Sequence, residues 1–139
     1  MSYVLMMTAD KPLPLCDRSA VRETVSGEYS VSFACGFTVA EHAYYRNSTD
    51  ELGYPFKRYQ YELDLYNDEA DLHHLKDYLT ENFCPGETVD LWHVCVSDIE
   101  GKHCPSCRKG TLTEFNMDMM GILTEIKEYG DECWLSITI

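Results

Sequence analysis

The sequence predicts an α+β protein: a mixed or mostly antiparallel sheet of about five to six strands, with two main helices packed on one face. Three observations carry this. Several stretches alternate apolar and polar residues with a period of two, as strands with one buried face do. Two stretches repeat apolar residues at helical spacing behind a capping residue. A third kind of stretch, residues 89–96 (VDLWHVCV), is mostly apolar on both faces, which suits a strand covered on both sides at the centre of the sheet.

The elements follow in order. Residues 3–8 (YVLMMT) read as a short internal strand, broken by DKPLP at 10–14. Residues 15–26 have weak helical character, ended by Gly27. Residues 29–39 alternate most clearly: Tyr29, Val31, Phe33, Cys35, Phe37 and Val39 share one face, and small or polar residues the other. One long strand with a face on the core is expected there. Residues 41–55 form a polar, tyrosine-rich connection with a helical turn around 41–46. In residues 56–66, Tyr59, Tyr61, Leu63 and Leu65 point inward, and Arg58, Gln60, Glu62 and Asp64 outward.

Asn67 or Asp68 caps a helix running to about Asn82, with Leu72, Leu75 and Leu79 as its core stripe. Asp68, Glu69 and Asp71 lie in its first turn, where acids suit the helix dipole. Cys84-Pro85-Gly86 stops it. The central strand, a turn and a short strand at 111–115 follow. Asn116 caps a second helix to about Tyr129, with Met119 or Met120, Leu123 and Ile126 on its apolar side. A strand with Phe115, Met117 and Met119 on one face fits the spacing less well. The last strand, 133–139, turns Cys133, Leu135, Ile137 and Ile139 to the core.

A chain of 139 residues forms one domain with a single core. Its formal net charge of −13 argues against direct binding to nucleic acid, which needs basic surface. No apolar run approaches the ~20 residues that cross a bilayer. The seven cysteines are an odd number, and no signal-peptide pattern opens the chain. A reducing cytoplasm with mostly free thiols is therefore expected. Cys16, Cys35, Cys84, Cys95 and Cys133 stand singly and read as small apolar fillers.

Two constellations carry chemistry. The first is Cys104-Pro105-Ser106-Cys107, whose thiols are spaced to reach one tetrahedral zinc ion, with Lys102, Arg108 and Lys109 around them to favour thiolate. A structural zinc needs two more ligands, which could come from His103, from His93 and Cys95 on one face of the central strand, or from a distant cysteine. The alternatives are a surface turn with two free thiols, or a reversible disulfide. Arg-Lys-Gly-Thr after Cys107 opens no helix, which counts against a thioredoxin-like redox enzyme. His73-His74 projects in two directions from its helix and reads as a solvated face, and His42 as a surface histidine. No phosphate loop, nucleophile elbow or zinc-protease motif is present, so an enzyme is the less favoured reading.

The second constellation is acidic. Glu62, Asp64, Asp68, Glu69 and Asp71 crowd the end of one strand and the start of the first helix, with Tyr59, Tyr66 and Tyr54 beside them. Glu125, Glu128, Asp131 and Glu132 crowd the end of the second helix. Tyrosine supplies rigid contact area and acid supplies steering, a combination suited to a basic protein partner. Charged strand and helix ends left to solvent are the plainer reading.

The C-terminal third, LWHVCV, LTEFNMDMMGILTEI and CWLSITI, resembles the ending of small acidic bacterial immunity proteins. That resemblance implies a non-enzymatic cytoplasmic protein that neutralises a toxin domain, often a nuclease, by one-to-one binding. It assigns no residue a role. The other function the sequence offers is a small zinc-stabilised protein, or an enzyme using the Cys104/Cys107 turn. No other cofactor is expected.

Overall fold

The computed structural model describes residues 2–97, 102–125 and 132–139. It is mixed α+β. Among the described residues nine strands and three helices follow one another as β1 (Tyr3–Ala9), β2 (Cys16–Asp17), β3 (Ala20–Ser26), β4 (Tyr29–Cys35), β5 (Thr38–Glu41), α1 (Arg46–Leu52), β6 (Tyr59–Asp64), α2 (Glu69–Asn82), β7 (Thr88–Cys95), β8 (Cys107–Thr111), α3 (Met117–Thr124) and β9 (Cys133–Thr138). Seven strands form one sheet in the order β2-β5-β6-β1-β7-β9-β8, and β3 and β4 form a separate ribbon. Every pairing in the sheet is antiparallel except β8 with β9.

The strand at 88–95 stands inside the sheet between β1 and β9, as its two apolar faces require. Its Val89 and Leu91 join Met7, Leu63, Leu135 and Ile137 on one face, beneath Leu72, Leu75, Tyr78 and Leu79 of α2 and Met120 and Leu123 of α3. On the other face Trp92 and Val94 pack with Val4, Met6 and Tyr54, with Phe56, Leu52 and Tyr45 alongside. The α1 segment and the loop after it therefore cover the face opposite the two main helices. Trp92 anchors that side, stacked on Trp134 at 4.4 Å between centroids and met edge-on by Phe56 at 4.7 Å.

Helix starts follow local chemistry. The Asp68 side chain accepts from the Asp71 N–H, and the Asn116 side chain from the Met119 N–H, each satisfying a donor the helix leaves unpaired. The second helix is shorter than its spacing suggested: Glu125 already has extended backbone angles. Ile126, Glu128, Tyr129, Gly130 and Asp131 lie outside the described residues.

The expected sheet of five to six strands becomes seven plus a two-stranded ribbon, and a third helix, α1, replaces the turn expected at 41–46. The largest departure is at residues 15–41. The weak helix is absent; those residues form β2 and β3, where Val21, Thr24 and Val25 favour extended backbone. The long strand from Tyr29 is two strands. Gly36, at φ 132°, ends β4 and turns the chain back into the sheet as β5. The expected strand at 111–115 is displaced: pairing with β9 starts at Cys107 and ends at Thr111.

Candidate functional site

Glu62 and Asp64 are two apart in β6, so both side chains leave the face away from α2 and α3. Their neighbours across β5 are the short Ala40 and Thr38. On the other side β1 pairs with β6 only from Met6 to Ala9. Beyond Met6 the two strands part, and the gap is a cleft of about 380 Å³. Tyr3, Val4 and Leu5 wall one side, Glu62, Leu63 and Asp64 the other, with Thr38 and Ala40 between β6 and the sheet edge; His93 also lines it.

The two carboxylates are poorly compensated. Among the described residues no lysine or arginine forms an ion pair with either. Burial, and then the charge of Asp64, raise the Glu62 carboxyl above its ordinary range. Burial also raises Asp64; the Asp71 charge adds to this, and a backbone hydrogen bond at Leu65 opposes it.

The other acids and tyrosines grouped with them by sequence do not all gather here. Glu69 is exposed on the first turn of α2, and Tyr66 is about half exposed nearby. Asp68 serves the helix start. Asp71 is a correction: it is 1 % exposed and used inside the protein. Its Oδ2 accepts from the Tyr66 N–H at 2.6 Å, and its Oδ1 lies 3.2 Å from His74 Nδ1. Tyr59 sits at the opposite end of β6, about 17 Å from Asp64 at ~3.4 Å per residue, with the Arg58 guanidinium over its ring. Glu132 is also internal. It accepts from the Tyr54 hydroxyl at 2.6 Å and the Cys95 N–H at 3.0 Å, and pairs with Lys102 at 3.3 Å.

Cys104, Cys107, His93 and Cys95, considered for zinc, do not come together in the sheet. His93 and Cys95 share the face under the helices, where His93 Nδ1 meets the Leu123 carbonyl at 2.6 Å. Cys107 is registered beside Trp134, on the other face. Cys104 is exposed. Among the described residues no three of His, Cys, Asp and Glu stand close enough to hold a metal ion. All seven cysteines are free. The cations near the turn do not lower its thiols as expected: burial, then Glu132 and Cys107, raise Cys104, while burial and Asp90 raise Cys107 against Lys109. Lys102 is committed to Glu132 and the Cys95 carbonyl.

Sequence reasoning missed two buried polar groups. His42 is buried rather than a surface residue. The Thr49 hydroxyl donates to the Arg46 carbonyl, so His42 Nε2–H donates to Thr49 at 2.7 Å, and Nδ1 is left as a buried acceptor without a donor. Asp90 lies in a polar row across the face opposite the helices, Gln60, Thr8, Asp90 and Ser136 on adjacent strands. Among the described residues Asp90 Oδ1, Gln60 Oε1 and Trp134 Nε1, all buried, meet no hydrogen-bond partner of good geometry. The local signal for Asp90 was a polar side chain in an apolar stretch; His42, in a polar connection, gave none.

Comparison with protein-family models, with curated proteins and with solved structures found no match. Among the described residues no helix is long and apolar enough to cross a membrane.

Proposed function

We propose that this chain binds a basic protein, presenting Glu62 and Asp64 to a lysine or arginine of its partner. The observation that supports this is the uncompensated pair in an open cleft. Two carboxylates two residues apart on one strand face, both raised by burial and without a cation of their own among the described residues, are in an unfavourable state that a partner's ammonium or guanidinium relieves. The wider negative charge of the chain steers such a partner inward. Neutralisation of a toxin by one-to-one blocking is the form this takes under the C-terminal resemblance.

The test is titration of the purified chain with an oligolysine peptide at low and high salt, against the Glu62→Gln/Asp64→Asn variant. Binding should weaken as salt rises, and the double substitution should cost about tenfold, ~1.4 kcal/mol. Equal affinity for wild type and variant, or no salt dependence, refutes the reading.

A further inference from the structure

The acidic cleft does not end at its own walls. Thr38 and Ala40 border it on one side and on the other line a second, apolar groove of about 440 Å³ at the sheet edge, with Leu15, Cys16, Asp17 and Val39. Both ends of that groove's lining lead into the β3–β4 ribbon, which leaves the sheet after Asp17 and returns at Thr38. Val21, Val25, Tyr29 and Val31 of the ribbon are exposed, as is Leu15 in the groove. Five of the eight large apolar side chains exposed among the described residues thus fall within 17 consecutive positions, 15–31. The register of the ribbon puts Val21 and Val25 on one of its faces and Tyr29 and Val31 on the other. A lone two-stranded ribbon is at best marginal in water, and a face such as Tyr29/Val31, with two large apolar side chains in solvent, is one a partner covers.

Charge decides the occupant. A second copy brings 24 acids against 11 basic residues, and so sets like charge against Glu62 and Asp64. A nucleic acid meets the same repulsion. A basic segment meets complementary charge and apolar surface together. Because Thr38 and Ala40 border both features, the segment must carry its cation within two or three residues of its apolar side chains, at strand-like spacing.

We propose that the acidic cleft, the Leu15–Val39 groove and the Tyr29/Val31 face of the β3–β4 ribbon form one docking surface for a segment of a basic protein in which Lys or Arg alternates with apolar residues. The inference rests on the basic-partner reading and adds where the partner lies and what its contact segment contains.

The full chain is titrated, with backbone amides followed by NMR, using a short synthetic peptide alternating Lys and Arg with Val and Tyr. A control peptide carries Glu at every basic position. The basic peptide should shift amides at Leu15, Cys16, Thr38, Ala40, Glu62 and Asp64 and along the ribbon, and the control should not. Leu15→Ser and Val31→Ser replace exposed side chains, so their spectra should stay those of a folded chain while peptide affinity falls about fivefold each. Oligolysine binding should be unchanged by these two variants. Basic-peptide shifts confined to other acidic surface, or affinity indifferent to Leu15→Ser and Val31→Ser, overturn the docking surface while leaving the basic-partner reading standing. No binding of either basic probe overturns both. A sedimentation-detected dimer with the ribbon protected makes a second copy the occupant and overturns this proposal.

Discussion

Asp71 shows how one carboxylate organises its surroundings. It ties the backbone at Tyr66 to the first turn of α2 and touches His74, while its oxygens lie against Gly36. Asp71→Ala leaves the Tyr66 N–H without its charged acceptor and should lower unfolding free energy by about 2–3 kcal/mol, read from urea denaturation. Asp90 acts in the opposite sense. At 4 % exposure with an unpaired oxygen, its ionised form is penalised. Burial raises its carboxyl, while Ser136, Lys57 and Trp134 pull it back in that order of contact: the Ser136 hydrogen bond, the Lys57 charge, and the nearby indole. With a raised native value, the folded state holds the proton more tightly than the unfolded chain. Stability at this site is therefore full below the unfolded value of 3.8 and is lost as pH rises through the native one. Asp90→Asn should raise stability by about 1 kcal/mol at neutral pH and bring little change in acid. Thermal melts of both proteins across that range check the crossover.

At the scale of elements, the ribbon depends on a single backbone position. Gly36 has φ 132°, and a Cβ there would stand 3.3 Å from Ser19 Cα and 3.4 Å from the Asp71 carboxylate oxygens. Gly36→Ala combines backbone strain with a close approach to main chain and should cost about 2–3 kcal/mol. Amide exchange should localise the damage to the junction of β2, β4 and β5, with β1 and β7 keeping their protection. At the ribbon's far end Gly27, at φ 61°, supplies the positive angle that a two-residue hairpin connection needs. Residues 29–35 alternate as well as any strand in the core, which is why β4 read as part of a core strand, while β3 read as weakly helical. Alternation makes a strand two-faced; it does not say which strand lies beside it. By contrast α2 was legible to within a residue at its start and near Asn82 at its end, because Asn67 or Asp68 as cap, a leucine stripe and Cys84-Pro85-Gly86 are all local signals.

Across the whole molecule, the acidic charge is unevenly answered. Lys57 reaches Asp10, Lys11 reaches Glu87, Arg18 reaches Glu81 and Lys102 reaches Glu132, while Glu62 and Asp64 have no such cation among the described residues. Like charges held together cost stability. Glu62→Gln should therefore raise the unfolding free energy by about 0.5 kcal/mol after solvent screening, read from urea denaturation, and at the same time weaken oligolysine binding. The gain should vanish in acid, since the raised native Glu62 value means the carboxyl is protonated first in the folded state as pH falls. A variant that lost binding and stability together would mark Glu62 as structural.

The sequence by itself determined the α+β class, the central strand, both capped helices and the inward set of β6 and β9, because periodicity, capping and breakers act within a few residues. It also placed Glu62 and Asp64 side by side on one face. Only the tertiary structure decided that β1 and β6 part to open a cleft beneath them, that β4 leaves the sheet, and that Asp71 and Glu132 turn inward. It also set His93 and Cys95 across the sheet from Cys107, through the parallel pairing of β8 with β9. Each of these depends on which distant strand supplies the hydrogen-bonding neighbour, and a pattern of side chains along one segment carries no record of that neighbour.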